Sequence, residues 1–187
     1  MSRKSRAGIF GGLLPSRPGN KMSFVAILMG SSSDWPVMQS TTEVLADLGV
    51  EFEVRVTSAH RTPAATMTYV QEASERGCAV FICAAGLAAH LAGAVAAHTV
   101  RPVIGVPIDA GPLSGFDALL STVQMPGGIP VATVAVGKAG AKNAGYLAAQ
   151  MLAVADAELA ERLTAERQTN VAKIQAQNDE LQSQLKT

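Results

Sequence analysis

The sequence predicts a three-layer α/β sandwich built around a central parallel sheet. Short apolar runs alternate with longer stretches of helical period, five times along the chain. Gly or Pro punctuates most of the junctions between them. The first run, Phe24 to Met29, is apolar without a break, as a strand buried on both faces must be. With 187 residues, 48% of them hydrophobic, the chain can bury one substantial core and has too little length for two comfortable ones.

Each element has its own warrant. Residues 34–48 carry Val37, Met38, Val44, Leu45 and Leu48 at helical spacing, and Gly49 ends that helix. Residues 51–56 alternate and are rich in β-branched side chains, which predicts a second strand. Thr62-Pro63 starts the next helix, with Thr as N-cap and Pro at the first helical position, and Gly77 stops it. The pattern then predicts a strand over 79–84, a small-residue helix over 87–99, and a strand over 102–106. A helix over 114–124, a strand over 130–136 and an alanine-rich helix over 139–155 follow. Such alternation implies right-handed crossovers and one sheet covered on both sides, a flavodoxin-like or Rossmann-like arrangement. Residues 23–157 are expected to form this single α/β domain.

The two ends read differently. Residues 1–22 hold Gly, Pro, Ser and Arg with no sustained period. They suit a flexible arm, a start upstream of a natural initiator at Met22, or a short transit segment. Residues 158–187 are polar and helical, with a thin apolar stripe of Val171, Ile174, Leu181 and Leu185. A stripe this narrow rarely stands alone, so the helix is expected to lie across a neighbouring subunit, or to end in a solvent-exposed tail.

Composition excludes several functions. The 15 basic and 15 acidic residues cancel, which argues against a nucleic-acid surface. No apolar stretch approaches the roughly 20 residues that span a bilayer, so no membrane partner is expected. Cys78 and Cys83 suggest neither a disulfide framework nor a metal site, and the default compartment is a reducing cytoplasm. Aromatic residues are 4% of the chain, too few for the walls of a flavin site. No acidic cluster follows the first strand, as a phospho-receiver domain would need, and no Gly-x-Ser-x-Gly elbow exists.

In open parallel sheets ligands bind beyond the carboxyl ends of the strands. Three polar or Gly-bearing loops meet there. After the first strand comes Gly30-Ser31-Ser32-Ser33-Asp34, whose hydroxyls and helix-start amides suit either an anion or plain helix capping by Ser33 or Asp34. It is neither a dinucleotide fingerprint nor a Walker loop. After the second comes Ser58-Ala59-His60-Arg61-Thr62. Arg61 can clamp a phosphate or carboxylate, and His60 can move a proton near neutral pH; a structural loop hydrogen bond is the alternative for His60. After the third comes Ala84-Ala85-Gly86, then Ala89-His90-Leu91, where His90 either lines the pocket or bonds a backbone carbonyl. His98 reads as a surface or capping residue. Gln124-Met125-Pro126-Gly127-Gly128 is a turn-rich segment that could wall the site.

These motifs, with Gly140-Ala141-Lys142-Asn143-Ala144, stand in one order over roughly residues 25–155. Together they resemble the N5-carboxyaminoimidazole ribonucleotide mutase family of purine synthesis. The resemblance implies an isomerase that moves a carboxyl group from N5 to C4 of an aminoimidazole ribonucleotide, with no cofactor, metal or ATP. It implies that His60 is the general acid/base. Ser31, Ser33, Asp34 and Arg61 are implied to bind substrate, and Ser58, Ala59, Ala85, Gly86, His90 and Leu91 to line the pocket. It further implies a homo-octamer with pockets near subunit boundaries. Two departures stand out: Ala92 replaces the family's usual proline, and residues 108–115 follow a different pattern. A related type carboxylates aminoimidazole ribonucleotide directly with CO2 and typically carries Lys-Gly where this chain has Arg61-Thr62. That difference favours the mutase type.

Overall fold

A computed structural model describes residues 23–185, and the basic N-terminal segment 1–22 lies outside them. Five parallel strands, β1 (Phe24–Met29), β2 (Phe52–Val56), β3 (Cys78–Ala85), β4 (Val103–Pro107) and β5 (Ala132–Thr133), form one sheet in the order β2-β1-β3-β4-β5. Six helices cover it: α1 (Trp35–Asp47), α2 (Pro63–Arg76), α3 (Leu91–Ala96), α4 (Phe116–Val123), α5 (Gly137–Ala153) and α6 (Ala157–Gln184). Among the described residues no helix is long and apolar enough to cross a membrane.

The strand period of two divides the core. Val25, Ile27 and Met29 of β1 face a cluster with Met38 and Leu45 of α1, Ala141, Ala144 and Ala148 of α5, and Leu159 and Leu163 of α6. Ala26 and Leu28 face the other cluster, with Tyr69 and Val70 of α2 and Leu91 and Val95 of α3. The alanines of α5 are functional packing choices: they let α5 lie close against α1, where Thr41 Oγ1 donates to the Ala141 carbonyl at 2.7 Å. Gly140 is required there, because a Cβ would fall 1.5 Å from the Ala135 carbonyl oxygen.

Some predicted boundaries move, each for a backbone reason. The helix expected over 87–99 shortens to α3, because Leu87 sits in the left-handed region at φ 55° and the chain turns until His90. The helix expected from residue 114 starts at Phe116, since Ser114 (φ 49°) and Gly115 (φ 81°) are both left-handed. The strand expected over 130–136 keeps only Ala132–Thr133 in the ladder. Pro130 has no N–H to donate, and Val134 adds one further bond, to the Gly105 carbonyl. The polar C-terminal helix is continuous over 28 residues. Its first turns pack on α5 and are tied by Arg162 to the Leu48 carbonyl and by Tyr146 to Glu166. Beyond them Val171, Ile174, Leu181 and Leu185 are exposed.

Candidate active site

The strand order reverses direction between β1 and β3, on either side of which the chain leaves in opposite senses. Ligand sites of open α/β sheets fall at such a switch point, and the three loops converge there. Gly30 N–H donates to the Ala84 carbonyl and Thr57 N–H to the Met29 carbonyl, so all three loop starts are tied into the sheet edge.

The loop after β1 forms a single 3-10 turn, Ser32–Asp34. Ser31, rather than Ser33 or Asp34, is its cap. Ser31 Oγ accepts the Ser33 N–H at 3.2 Å, and Asp34 Oδ2 accepts the Ser31 N–H at 3.1 Å, a reciprocal capping box. Two amides of the turn are thereby used internally. The hydroxyls remain at the mouth, with Ser33 Oγ 2.8 Å from Ser31 Oγ. Asp34 is only 6% exposed. Burial raises its carboxyl above the ordinary range, against the opposing pull of the Ser31 amide, the Ser33 hydroxyl and the Arg61 charge.

The loop after β2 carries the candidate residues His60 and Arg61. Arg61 donates from Nη2 to the Gly30 carbonyl at 2.7 Å and from Nε to Ser58 Oγ at 3.4 Å, while its own N–H reaches the same oxygen at 3.2 Å. The guanidinium therefore bridges the first two loops with N–H groups to spare. His60 projects beside it, and His60 Nε2 lies 2.8 Å from His90 Nδ1 on the third loop. The rings meet edge to face, 4.9 Å between centroids at 79°. One of these two nitrogens donates the bond and the other accepts it.

The third loop owes its position to small residues. A Cβ at Gly86 would stand 2.8 Å from Ala110 Cβ, and Ile108 N–H donates to the Ala85 carbonyl. The loops after β3 and β4 are thus pressed together, and His90 is held over the switch point. Ala59 and Ala85 pack against the core cluster beneath the site. Leu91 is 2% exposed and belongs to that core. His98 lies apart, in an open cleft of about 1260 Å³ at the amino edge of β4, with Arg101, Val103 and Ile129. Cys78 is pushed up to about 11 by burial and Cys83 further still, so neither thiol is poised as a nucleophile. Among the described residues no group of three His, Cys, Asp or Glu could hold a metal ion.

Thr57 and Thr66, which sequence reasoning does not single out, lie beneath the second loop; their hydroxyls meet each other, and that of Thr57 approaches Thr62 Oγ1. The signal for Thr66 is a threonine four positions after Thr62, across a helix start. Thr62, placed correctly as the residue before Pro63, does not cap α2 with its side chain and instead bonds back to Ser58.

Fold and site define a class of protein: a parallel α/β chain with a hydrogen-bonded histidine pair beside an arginine at the sheet's switch point. The chain belongs to the AIR carboxylase family, whose model matches residues 24–173. It is 50% identical over 157 residues to the N5-carboxyaminoimidazole ribonucleotide mutase of Bacillus subtilis, covering 84% of this chain and 97% of that relative. It is 54% identical over 144 residues to the enzyme of the same name from Escherichia coli K12, covering 77% and 85%. The crystal structure of Treponema denticola PurE superimposes with a TM-score of 0.77 at 30% identity, over 85% of this chain and 98% of that one.

Proposed function

We propose that this protein is an isomerase of purine biosynthesis that converts N5-carboxyaminoimidazole ribonucleotide into 4-carboxy-5-aminoimidazole ribonucleotide, without ATP. The observation that carries the reading is the His60–His90 pair, 2.8 Å apart, beside Arg61 in loops of this family. The reaction asks for what these groups can supply. The N5–carboxyl bond breaks, CO2 leaves, and N5 takes a proton from the imidazole side of the site. Ring carbon C4 then attacks the retained CO2, and its proton must be removed to restore the aromatic ring. One histidine that first gives and then takes a proton closes the cycle with no net change, and His60 has that role. Arg61 and the serine hydroxyls of the first loop hold the substrate's phosphate and carboxylate. Ser58, Ala59, Ala85 and Gly86 form one part of the pocket wall around the retained CO2.

On one chain His60 and Arg61 are exposed, which is a poor enclosure for CO2. A homo-octamer would supply the missing wall, and two features support assembly. The far half of α6 carries its exposed apolar stripe, and Phe116, Leu120 and Val123 form a second exposed stripe along α4. The free cysteines suit a cytoplasmic setting.

The test is an ATP-free assay in two arms. Purified protein given N5-carboxyaminoimidazole ribonucleotide is expected to form the C4-carboxylated isomer. If only aminoimidazole ribonucleotide plus CO2 gives that product, the protein is the direct carboxylase. If neither arm runs, the proposed activity is wrong.

A further inference from the structure

We propose that Thr57, Thr62 and Thr66 act together as positioning residues for His60, through a directed chain of hydroxyl hydrogen bonds under the loop that carries it. This rests on the isomerase reading above. None of the three needs to touch substrate. Thr57 directly follows β2 and is 6% exposed; Thr66, in the first turn of α2, is 4% exposed. Their hydroxyls are 2.7 Å apart.

Proton bookkeeping gives the chain a direction. Each hydroxyl has one proton and two lone pairs. Thr66 Oγ1 donates to the Thr62 carbonyl at 3.1 Å, so Thr57 must donate to Thr66. Thr62 Oγ1 donates to the Ser58 carbonyl at 3.2 Å, accepts the Ser58 N–H at 2.9 Å, and lies 3.3 Å from Thr57 Oγ1. Both ends of the turn, Ser58 and Thr62, are therefore fixed to the buried Thr57–Thr66 pair. Threonines bonding a carbonyl four residues back are common in helices. A link from such a pair to the strand end and to the turn bearing the acid/base is not explained by helix structure.

The turn's two functional side chains depend on it unequally. Arg61 is also held by the Gly30 carbonyl and Ser58 Oγ, whereas among the described residues His60 bonds the imidazole of His90 across the cleft. A valine methyl cannot stay 2.7 Å from Thr57 Oγ1, so the two side chains must part, and the buried Thr57 proton turns to the remaining lone pair of Thr62 Oγ1, 3.3 Å away. The turn then shifts, and His60 leaves register with His90 while Arg61 stays held.

The test compares wild type with Thr66→Val, Thr66→Ser and Thr62→Val in the ATP-free assay. It adds imidazole nitrogen NMR spectra of the His60–His90 pair. Thr66→Val and Thr62→Val are expected to lower kcat about 10- to 100-fold, since misplacement near 1 Å can cost that much, with KM changed less than about 3-fold. Thr66→Ser, which keeps the hydroxyl, is expected to restore kcat to within about 3-fold and to keep the hydrogen-bonded imidazole signal that the valine variants lose. If Thr66→Val fails to fold, Thr62→Val, on the exposed turn, decides alone. Wild-type kcat and imidazole spectra in the valine variants would overturn the proposal, as would an equal kcat loss in Thr66→Ser. If wild type itself does not isomerise the substrate, that reading fails separately, and the imidazole spectra still decide the positioning role.

Discussion

Replacing Gly86 by alanine tests whether the packing of two loops sets the catalytic geometry. The added Cβ would stand 2.8 Å from Ala110 Cβ, with Ile108 Cβ 3.6 Å away. Carbon atoms rest at roughly 3.5–4.0 Å, so the loops must part by roughly 0.7–1.2 Å. Neither neighbour is the far end of a flexible side chain, so backbone has to move. Overpacking of this kind costs typically 1–3 kcal/mol, which for a domain of this size lowers Tm by roughly 2–12 °C. The displaced loop carries His90, and the His60–His90 separation of 2.8 Å leaves little room for error. A shift near 1 Å is expected to lower kcat/KM about 10- to 100-fold. Calorimetry gives the Tm, and steady-state kinetics in the ATP-free assay give the rest. A variant with wild-type Tm and wild-type kcat/KM would refute the claim that this contact holds the third loop in place.

Other substitutions separate binding from structure. Arg61→Lys keeps the charge but loses the fork that reaches Gly30 and Ser58. Substrate or product affinity by titration calorimetry should fall about 10- to 100-fold, the loss of one charge-assisted bond, and a change under about 3-fold would remove Arg61 from binding. Asp34 has a raised carboxyl, so between its ordinary and its folded value the native state binds more protons than the unfolded chain, and stability rises as pH falls through that window. Asp34→Asn should abolish this slope and leave Tm at pH 7 unchanged or higher. A steeper acid gain in the variant would contradict the burial argument. Ending the chain after residue 168 keeps the Arg162 and Glu166 contacts but removes Val171, Ile174, Leu181 and Leu185; light scattering should report a smaller assembly, and an unchanged mass would free α6 from any subunit contact.

Much of the fold was legible because burial on both faces leaves an unmistakable record. Phe24–Met29 and Cys78–Ala85 read as strands since nearly every position is buried, and Gly49 and Gly77 mark helix ends by their left-handed backbone. What was not legible depends on single dihedrals. Nothing in the composition of residues 87–90 announces a left-handed leucine, and Ser114 behaves likewise. At the site, residue types were enough to single out His60 and Arg61. They could not supply the partner of His60, because His90 is thirty positions away and is brought near by β1–β3 adjacency. The threonine chain is legible only in three dimensions, since its members span a strand end, a turn and a helix.

The central claim is that the Ser58–Thr62 turn binds with one residue and transfers a proton with its neighbour. His60→Asn tests it most directly, with ligand affinity and turnover measured on the same preparation. Affinity is expected within about 3-fold of wild type, and turnover lower by about 10²- to 10⁴-fold, the usual contribution of a positioned acid/base. Undiminished turnover, or a loss of affinity that accounts for the whole effect, would contradict it.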